Sequence, residues 1–140
     1  MQLNRKIKHI LLPLVYWLAK VFFATCPRSL PKKSSYLQGI NFIGYYAGEL
    51  GLGQALRSAI LAAKTVHIPF GVRELTLKIL SRQEEASIEP YLEPYASHWL
   101  NCICMNPDML YRLPAWMKYE EWTKRYNVGY WFWELSSQNQ

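Results

Sequence analysis

Acidic side chains are missing from the first third of this chain. Residues 1–48 contain no aspartate or glutamate but seven lysines and arginines, whereas the remaining 92 residues hold nine basic and ten acidic side chains. The net charge of +6 therefore belongs to an N-terminal arm. The rest of the chain is close to neutral, which argues against a nucleic-acid partner, because a phosphodiester backbone calls for a basic face on the folded domain. Cysteine is scarce and odd in number: Cys26, Cys102 and Cys104 cannot make a disulfide framework. Cys102 and Cys104 lie two apart in a strand-like stretch, so both face one side as small buried hydrophobes. No histidine or further cysteine stands at metal-ligand spacing, and His9, His67 and His98 are scattered, so no metal site is expected. His67 falls near the end of a helix, where its partial charge suits the dipole. An unbroken apolar run of membrane-spanning length, about 20 residues, is also lacking. The best stretch, Ile10 to Cys26, contains Pro13 and Lys20.

What is present suits one folded domain with an arm. The 140 residues are 51% hydrophobic and 15% aromatic, enough for a packed core. Residues 1–35 read as a basic and apolar anchor with a linker, and residues 36–140 as the domain. Arg5, Lys6 and Lys8 precede the apolar segment and Tyr16 and Trp17 sit within it. That pattern suits a helix lying in the interface of an anionic membrane, with Lys20 snorkelling outward. Residues 1–33 are thus expected to meet the inner face of the cell membrane, leaving a cytoplasmic, peripheral protein. Two rival readings of the same residues are a secretory signal peptide, for which Cys26-Pro27 is a poor cleavage region, and an ordinary packing helix.

The domain is organised around Gly44-Tyr-Tyr-Ala-Gly-Glu-Leu-Gly-Leu-Gly-Gln54. This glycine-rich turn leaves a strand, Ile40 to Tyr46, and enters a helix expected to start near Gly53. Gly48, Gly51 and Gly53 suit positive φ and let a ligand approach the main chain, and the helix N-terminus offers unpaired N–H groups to an anion. The same glycines would serve a plain βα turn equally well. Leu52, Leu56, Ala59, Ile60 and Ala63 then form a helical stripe, and Ile68 to Arg73 a second strand, making a β-α-β unit. Leu75 to Glu85 reads as helical or irregular, and Glu89 to Tyr95 as loop. Trp99 to Met105 is a third strand, Met109 to Leu113 a helical turn that Asp108 could cap, Pro114 to Lys124 a helix, and Tyr126 to Trp133 a fourth strand with Glu134 after it. The fold class is α/β with a Rossmann-like parallel sheet. Ligands of such sheets bind beyond the carboxyl ends of the strands, which gathers the 48–53 loop, Asn106, Asp108 and Glu134 at one edge.

Two nucleotide motifs can be tested. Gly51-Leu-Gly53-Gln-Ala-Leu56 lacks the third glycine of the dinucleotide fingerprint, although Glu74 stands where an acid could hold a ribose hydroxyl. The phosphate-loop motif fails, since no Gly-Lys-Ser/Thr follows.

The segments Gly39 to Arg57, Asn106-Pro-Asp108 and Tyr126-Asn-Val-Gly-Tyr-Trp-Phe-Trp-Glu-Leu135 resemble the N-terminal half of retaining glycosyltransferases of family 4. The resemblance covers roughly Gly39 to Leu135, through two ordered motifs and a weaker third. It implies a GT-B enzyme of two Rossmann-like domains, of which this chain would be the incomplete, acceptor-side first. The enzyme would move a sugar from a nucleotide-sugar to a glycan, polysaccharide or lipid-linked acceptor. The resemblance places Gly48, Glu49, Gly51, Gly53, Asn106 and Asp108 near donor phosphate or substrate, with Glu134 a candidate catalytic residue and no cofactor beyond the donor itself. Pro107 departs from the family's pattern, where a small residue such as alanine is expected. The 140-residue chain alone is expected to transfer no sugar. A nucleotide-binding oxidoreductase module and a non-catalytic membrane-attached domain are the alternatives.

Overall fold

The computed structural model describes residues 5–25, 36–47, 51–75 and 88–131. In these, a four-stranded sheet forms the centre: β1 Leu37–Gly44, β2 Phe70–Glu74, β3 His98–Cys104 and β4 Tyr126–Tyr130. All pairings are parallel and the order is β2-β1-β3-β4. The α/β class and the parallel sheet agree with the sequence reading. The segment 76–87, Cys26, the linker Pro27 to Ser35, Gly48, Glu49 and Glu134 lie outside the described residues.

The centre of the sheet, β1 and β3, is covered on both faces because β1 alternates its apolar side chains, whereas β4 is largely exposed. Phe42 joins Leu56, Ile60, Ala63, Val72 and Cys104 under helix α2, Gly51–Thr65. Ile43 joins Ile103, Leu113, Met117 and Trp122 on the other face. That second face is roofed by short pieces: a 3-10 helix Pro107–Arg112, α3 Leu113–Trp116 and α4 Tyr119–Thr123. The expected helix from Pro114 to Lys124 is thus broken at Met117 and Lys118. The break has a cause in Glu121, whose carboxylate accepts the Lys118 N–H at 2.7 Å and caps a new helix start there.

Strand ends shift by one to three residues. β2 begins at Phe70 rather than Ile68, because the Ile68 N–H is used to close α2, donating to Ala63 O at 2.9 Å while His67 N–H donates to Lys64 O at 3.2 Å. This is the paired-bond ending of a helix in which one residue turns left-handed. His67 occupies that position, with φ 56°, so it does stand at the helix end, but in a backbone role. β1 stops at Gly44, yet Tyr45 and Tyr46 stay buried by sending their rings to opposite faces.

Helix α1, Arg5–Ala24, docks on the second face through its C-terminal half. Ala19 is buried, Phe22 stacks on Trp122 at 5.0 Å between ring centres, Phe23 meets the same indole edge-on, and Trp122 Nε1–H donates to Phe22 O at 3.1 Å. No helix among the described residues is long and apolar enough to cross a membrane.

A polar network that the sequence reading missed runs under the second face. Asn41, Asn101 and Asn127 are cross-strand neighbours on β1, β3 and β4. Asn41 Nδ2 donates to Asn101 Oδ1 and Asn101 Nδ2 to Asn127 Oδ1, each at 2.8 Å. Asn101 also donates to Glu121 O, and Asn41 Oδ1 accepts the His98 N–H at 2.8 Å. Beside the row, the buried Glu121 carboxylate pairs with Arg73 of β2 and accepts the Ala96 N–H at 2.8 Å.

Burial pushes the Glu121 pKa upward, but the Ala96 and Lys118 N–H groups and Arg73 outweigh it and hold the carboxyl below its ordinary 4.5. Burial lowers the pKa of His98 below its ordinary 6.5, with Glu93 opposing and Arg125 assisting. In both cases the unfolded chain binds more protons than the folded one, so stability falls on acidification. Urea midpoints measured from pH 8 to pH 3 are expected to drop first below about 6.5 and again below about 4.5. Glu121→Gln should flatten the lower step while lowering stability at pH 7 by about 3 kcal/mol, because Arg73 loses its counter-ion. An unchanged lower step in that variant would contradict the assignment.

Candidate functional site

The order β2-β1-β3-β4 places a topological switch between β1 and β3. From β1 the chain goes to β2 on one side, then returns to β3 on the other, and in open parallel sheets of this kind ligands bind outside the carboxyl ends of the strands at such a switch. The residues that end the strands share one row: Glu74, Gly44, Cys104 and Tyr130 are partners in register. Among the described residues, Gly51, Gly53, Asn106 and Asp108 follow that row in the chain.

On the β1 side stands the N-terminus of α2. Its first turn carries no acidic residue of its own, and its 15 residues align enough peptide dipoles to favour an anion there. The helix begins at Gly51, two residues before the expected start. Gly51 and Gly53 therefore have helical backbone, and the expectation of positive φ at these two is corrected. Positive φ is adopted instead by Gly39, at 145°, where a Cβ would lie 2.2 Å from Pro69 O. Gly51 is exposed and a Cβ there would meet nothing within 4 Å among the described residues; Gly53 is buried. The close approach that demands glycine belongs to Gly44, where a Cβ would fall 2.6 Å from Cys104 O and 3.0 Å from Leu56 Cδ2. Gly44 thus lets α2 settle onto the β1–β3 seam. Two bonds hold it there: Cys104 Sγ–H to Leu52 O at 3.5 Å, and Arg57 Nη1–H to Tyr46 O at 2.5 Å.

On the β3 side, Asn106 and Asp108 are both exposed. Asp108 does not cap the following turn, contrary to that expectation. The capping position is Asn106, without a side-chain bond, and the turn closes through Met109 N–H to Asn106 O at 2.9 Å. The Asp108 carboxylate is thereby left for solvent or ligand. Glu74 ends β2 in the same row, its pKa raised by partial burial. Of the expected site residues, Gly51, Gly53, Asn106 and Asp108 flank the switch. Gly48, Glu49 and Glu134 lie outside the described residues.

The two cysteines face α2, as their spacing implies. Burial raises both thiols, Cys104 to about 11 with Cys102 adding to it, and both are free. They are packing residues. Among the described residues no group of histidine, cysteine and carboxylate side chains could hold a metal ion.

One feature of the edge had no signal in the sequence. Tyr45, next after β1, is 8% exposed and its hydroxyl has no hydrogen-bond partner among the described residues. Burial pushes its pKa up to about 12, with Arg112 pulling the other way. The hydroxyl is neutral at all ordinary pH, and an unpaired buried hydroxyl costs roughly 1–3 kcal/mol. Tyr45→Phe is expected to raise the unfolding free energy of the unliganded chain by about 1 kcal/mol. A loss of stability by that amount in chemical denaturation would show that the hydroxyl is paired.

No family model, no curated protein and no solved structure matches this chain.

Proposed function

We propose that the switch-point edge is the acceptor-side face of a nucleotide-sugar-dependent, retaining glycosyltransferase, with the first turn of α2 against the donor phosphates. The observation that carries this reading is the α2 N-terminus. It lies over the β1–β3 seam without an acid in its first turn, which suits a departing diphosphate. Glu49 just before it is assigned to acceptor hydroxyls or backbone N–H groups rather than to the phosphates. As the glycosidic bond to the donor breaks, charge grows on the leaving phosphate, and preoriented N–H groups lower the energy of that state. Asp108, across the switch, suits an acceptor hydroxyl better than an anion, since its carboxylate can only accept hydrogen bonds. Glu134 keeps its role as a candidate for orienting the acceptor.

The exposed apolar face of α1 supports the peripheral membrane reading. Leu14, Trp17, Leu18 and Val21 are each about half exposed on a helix whose arm carries the chain's excess positive charge. The oxidoreductase reading rests on Glu74 at the end of β2, in the row where a ribose would be held. Quenching of NADH fluorescence by the chain would favour it.

Gly51→Ala is the most informative substitution, because the added methyl meets nothing within 4 Å among the described residues. In the two-domain enzyme implied by the resemblance, it should cut transfer at saturating donor by about 100-fold, a loss of roughly 2.7 kcal/mol in transition-state stabilisation. Stability should be unchanged or raised by at most about 1 kcal/mol. Normal turnover in the variant would remove the anion role from this loop.

A further inference from the structure

We propose that the groove between α1 and the turn Pro107–Arg112 receives the sugar-phosphate end of a lipid-linked acceptor, with Lys20 as the phosphate contact. This rests on the transferase reading and names the acceptor's chemical class.

The groove has a volume of about 200 Å³, with Tyr16, Lys20 and Phe23 on one wall and Asp108, Leu110 and Tyr111 on the other. That is small beside the roughly 300–1,000 Å³ of pockets that enclose drug-sized ligands, and it suits a single head-group unit. Its walls are tied together. Tyr16 and Tyr111 meet at 5.2 Å between ring centres, and the Phe22–Trp122 stack holds the same end of α1. The groove also adjoins the proposed transfer edge, since Asp108 belongs to both.

The chemistry of the walls is unequal along the groove. Lys20 and Asp108 both line it, yet no ion pair joins Lys20 to any described carboxylate, and the side chain is exposed. A cation on the α1 side and a carboxylate on the sheet side match a ligand that is anionic at one end and hydroxylated at the other. Phosphate would meet the ammonium and sugar hydroxyls would meet Asp108, with a sugar ring keeping the two negative groups apart. Phe23 and Leu110 add apolar surface that a soluble sugar phosphate would not use.

The rest of α1 indicates where an apolar tail would go. Helical spacing puts Ala19 and Phe23 on the docked side and Leu14, Leu18 and Val21 on the opposite side. Ala19 is 5% exposed, whereas Leu18 is 51% and Trp17 60% exposed. A helix apolar on both sides, one docked and one bare, with its arm's charge wholly positive, fits an anionic bilayer surface on its bare side. Lys20 lies on the flank between the sides and is exposed. A lipid-linked acceptor could then keep its tail in the bilayer while its sugar reaches the transfer edge.

The test uses the 140-residue chain in flotation with phosphatidylcholine vesicles. One set is doped with a prenyl phosphate whose phosphate carries a single hexose, the other with phosphatidylglycerol at the same surface charge. The chain should bind the prenyl phosphate vesicles about tenfold more tightly. Lys20→Gln should erase that preference and Lys20→Arg should retain it. Equal binding to both lipids, binding to neither, or a preference that survives Lys20→Gln would overturn the proposal. Displacement from the prenyl phosphate vesicles by an equal concentration of soluble hexose 1-phosphate would overturn its lipid part. Neither donor nor turnover enters this measurement, so its failure leaves the transfer reading standing, and failure of the Gly51→Ala experiment leaves the lipid result standing.

Discussion

The row of three asparagines fixes the register of the sheet, and the alignment of the strand ends at the proposed site depends on that register. Apolar contacts alone would tolerate several alignments of β1 against β3, since both strands are rich in interchangeable aliphatic and aromatic side chains. Asn41, Asn101 and Asn127 do not tolerate a slip. Displaced by one residue, each amide would turn to the opposite face and enter the apolar layer under α2 without a partner, at a cost of roughly 1–3 kcal/mol for each unsatisfied group. Aligned, they satisfy one another and the Glu121 carbonyl. Glu121 extends the lock to the outer strand through Arg73. Its other oxygen starts the last helix.

With the register fixed at Asn41, the strand ends fall three residues later in one row, and the loops beyond them are brought together. The molecule separates its polar groups accordingly. Those nearer the amino ends of the strands are buried and mutually satisfied, and their role is structural. At the carboxyl ends, the Asn106 and Asp108 side chains are exposed and cap no helix. Gly44 links the two levels. By letting α2 approach Cys104, it sets the helix N-terminus over the seam and not to one side of it.

The sequence revealed the sheet more fully than it revealed the site. Strands and α2 were legible because each is a run of β-branched and aromatic residues, or a stripe of helical period, closed by glycine or proline. The roof between β3 and β4 was not. Pro114 to Lys124 carries a helical pattern, and nothing local shows that Glu121 is drawn inward by Arg73, 48 residues earlier. Asp108 resembled a cap because aspartate before a helical turn commonly is one, but the tight turn closes through the Asn106 carbonyl instead. The glycines of the loop implied left-handed backbone, whereas Gly51 and Gly53 are helical and the tight packing falls to Gly44. A signal for the asparagine row did exist: Asn41, Asn101 and Asn127 each stand three residues before the end of a strand. Polar residues repeated at one height across buried strands are the mark of a ladder.

The central claim is that the first turn of α2, at the β1–β3 switch, is an anion site for a nucleoside diphosphate group. Its most direct test is an NMR titration of the isotope-labelled chain with a nucleoside diphosphate, following backbone amides at modest ionic strength so that weak binding is still seen. The amides of Gly51, Leu52 and Gly53 should move together and saturably, with Asn106 and Asp108 following. Those at the opposite end of the strands, Gly39 and His98, should stay in place. Shifts centred on the basic arm, or none at the start of α2, would contradict the claim.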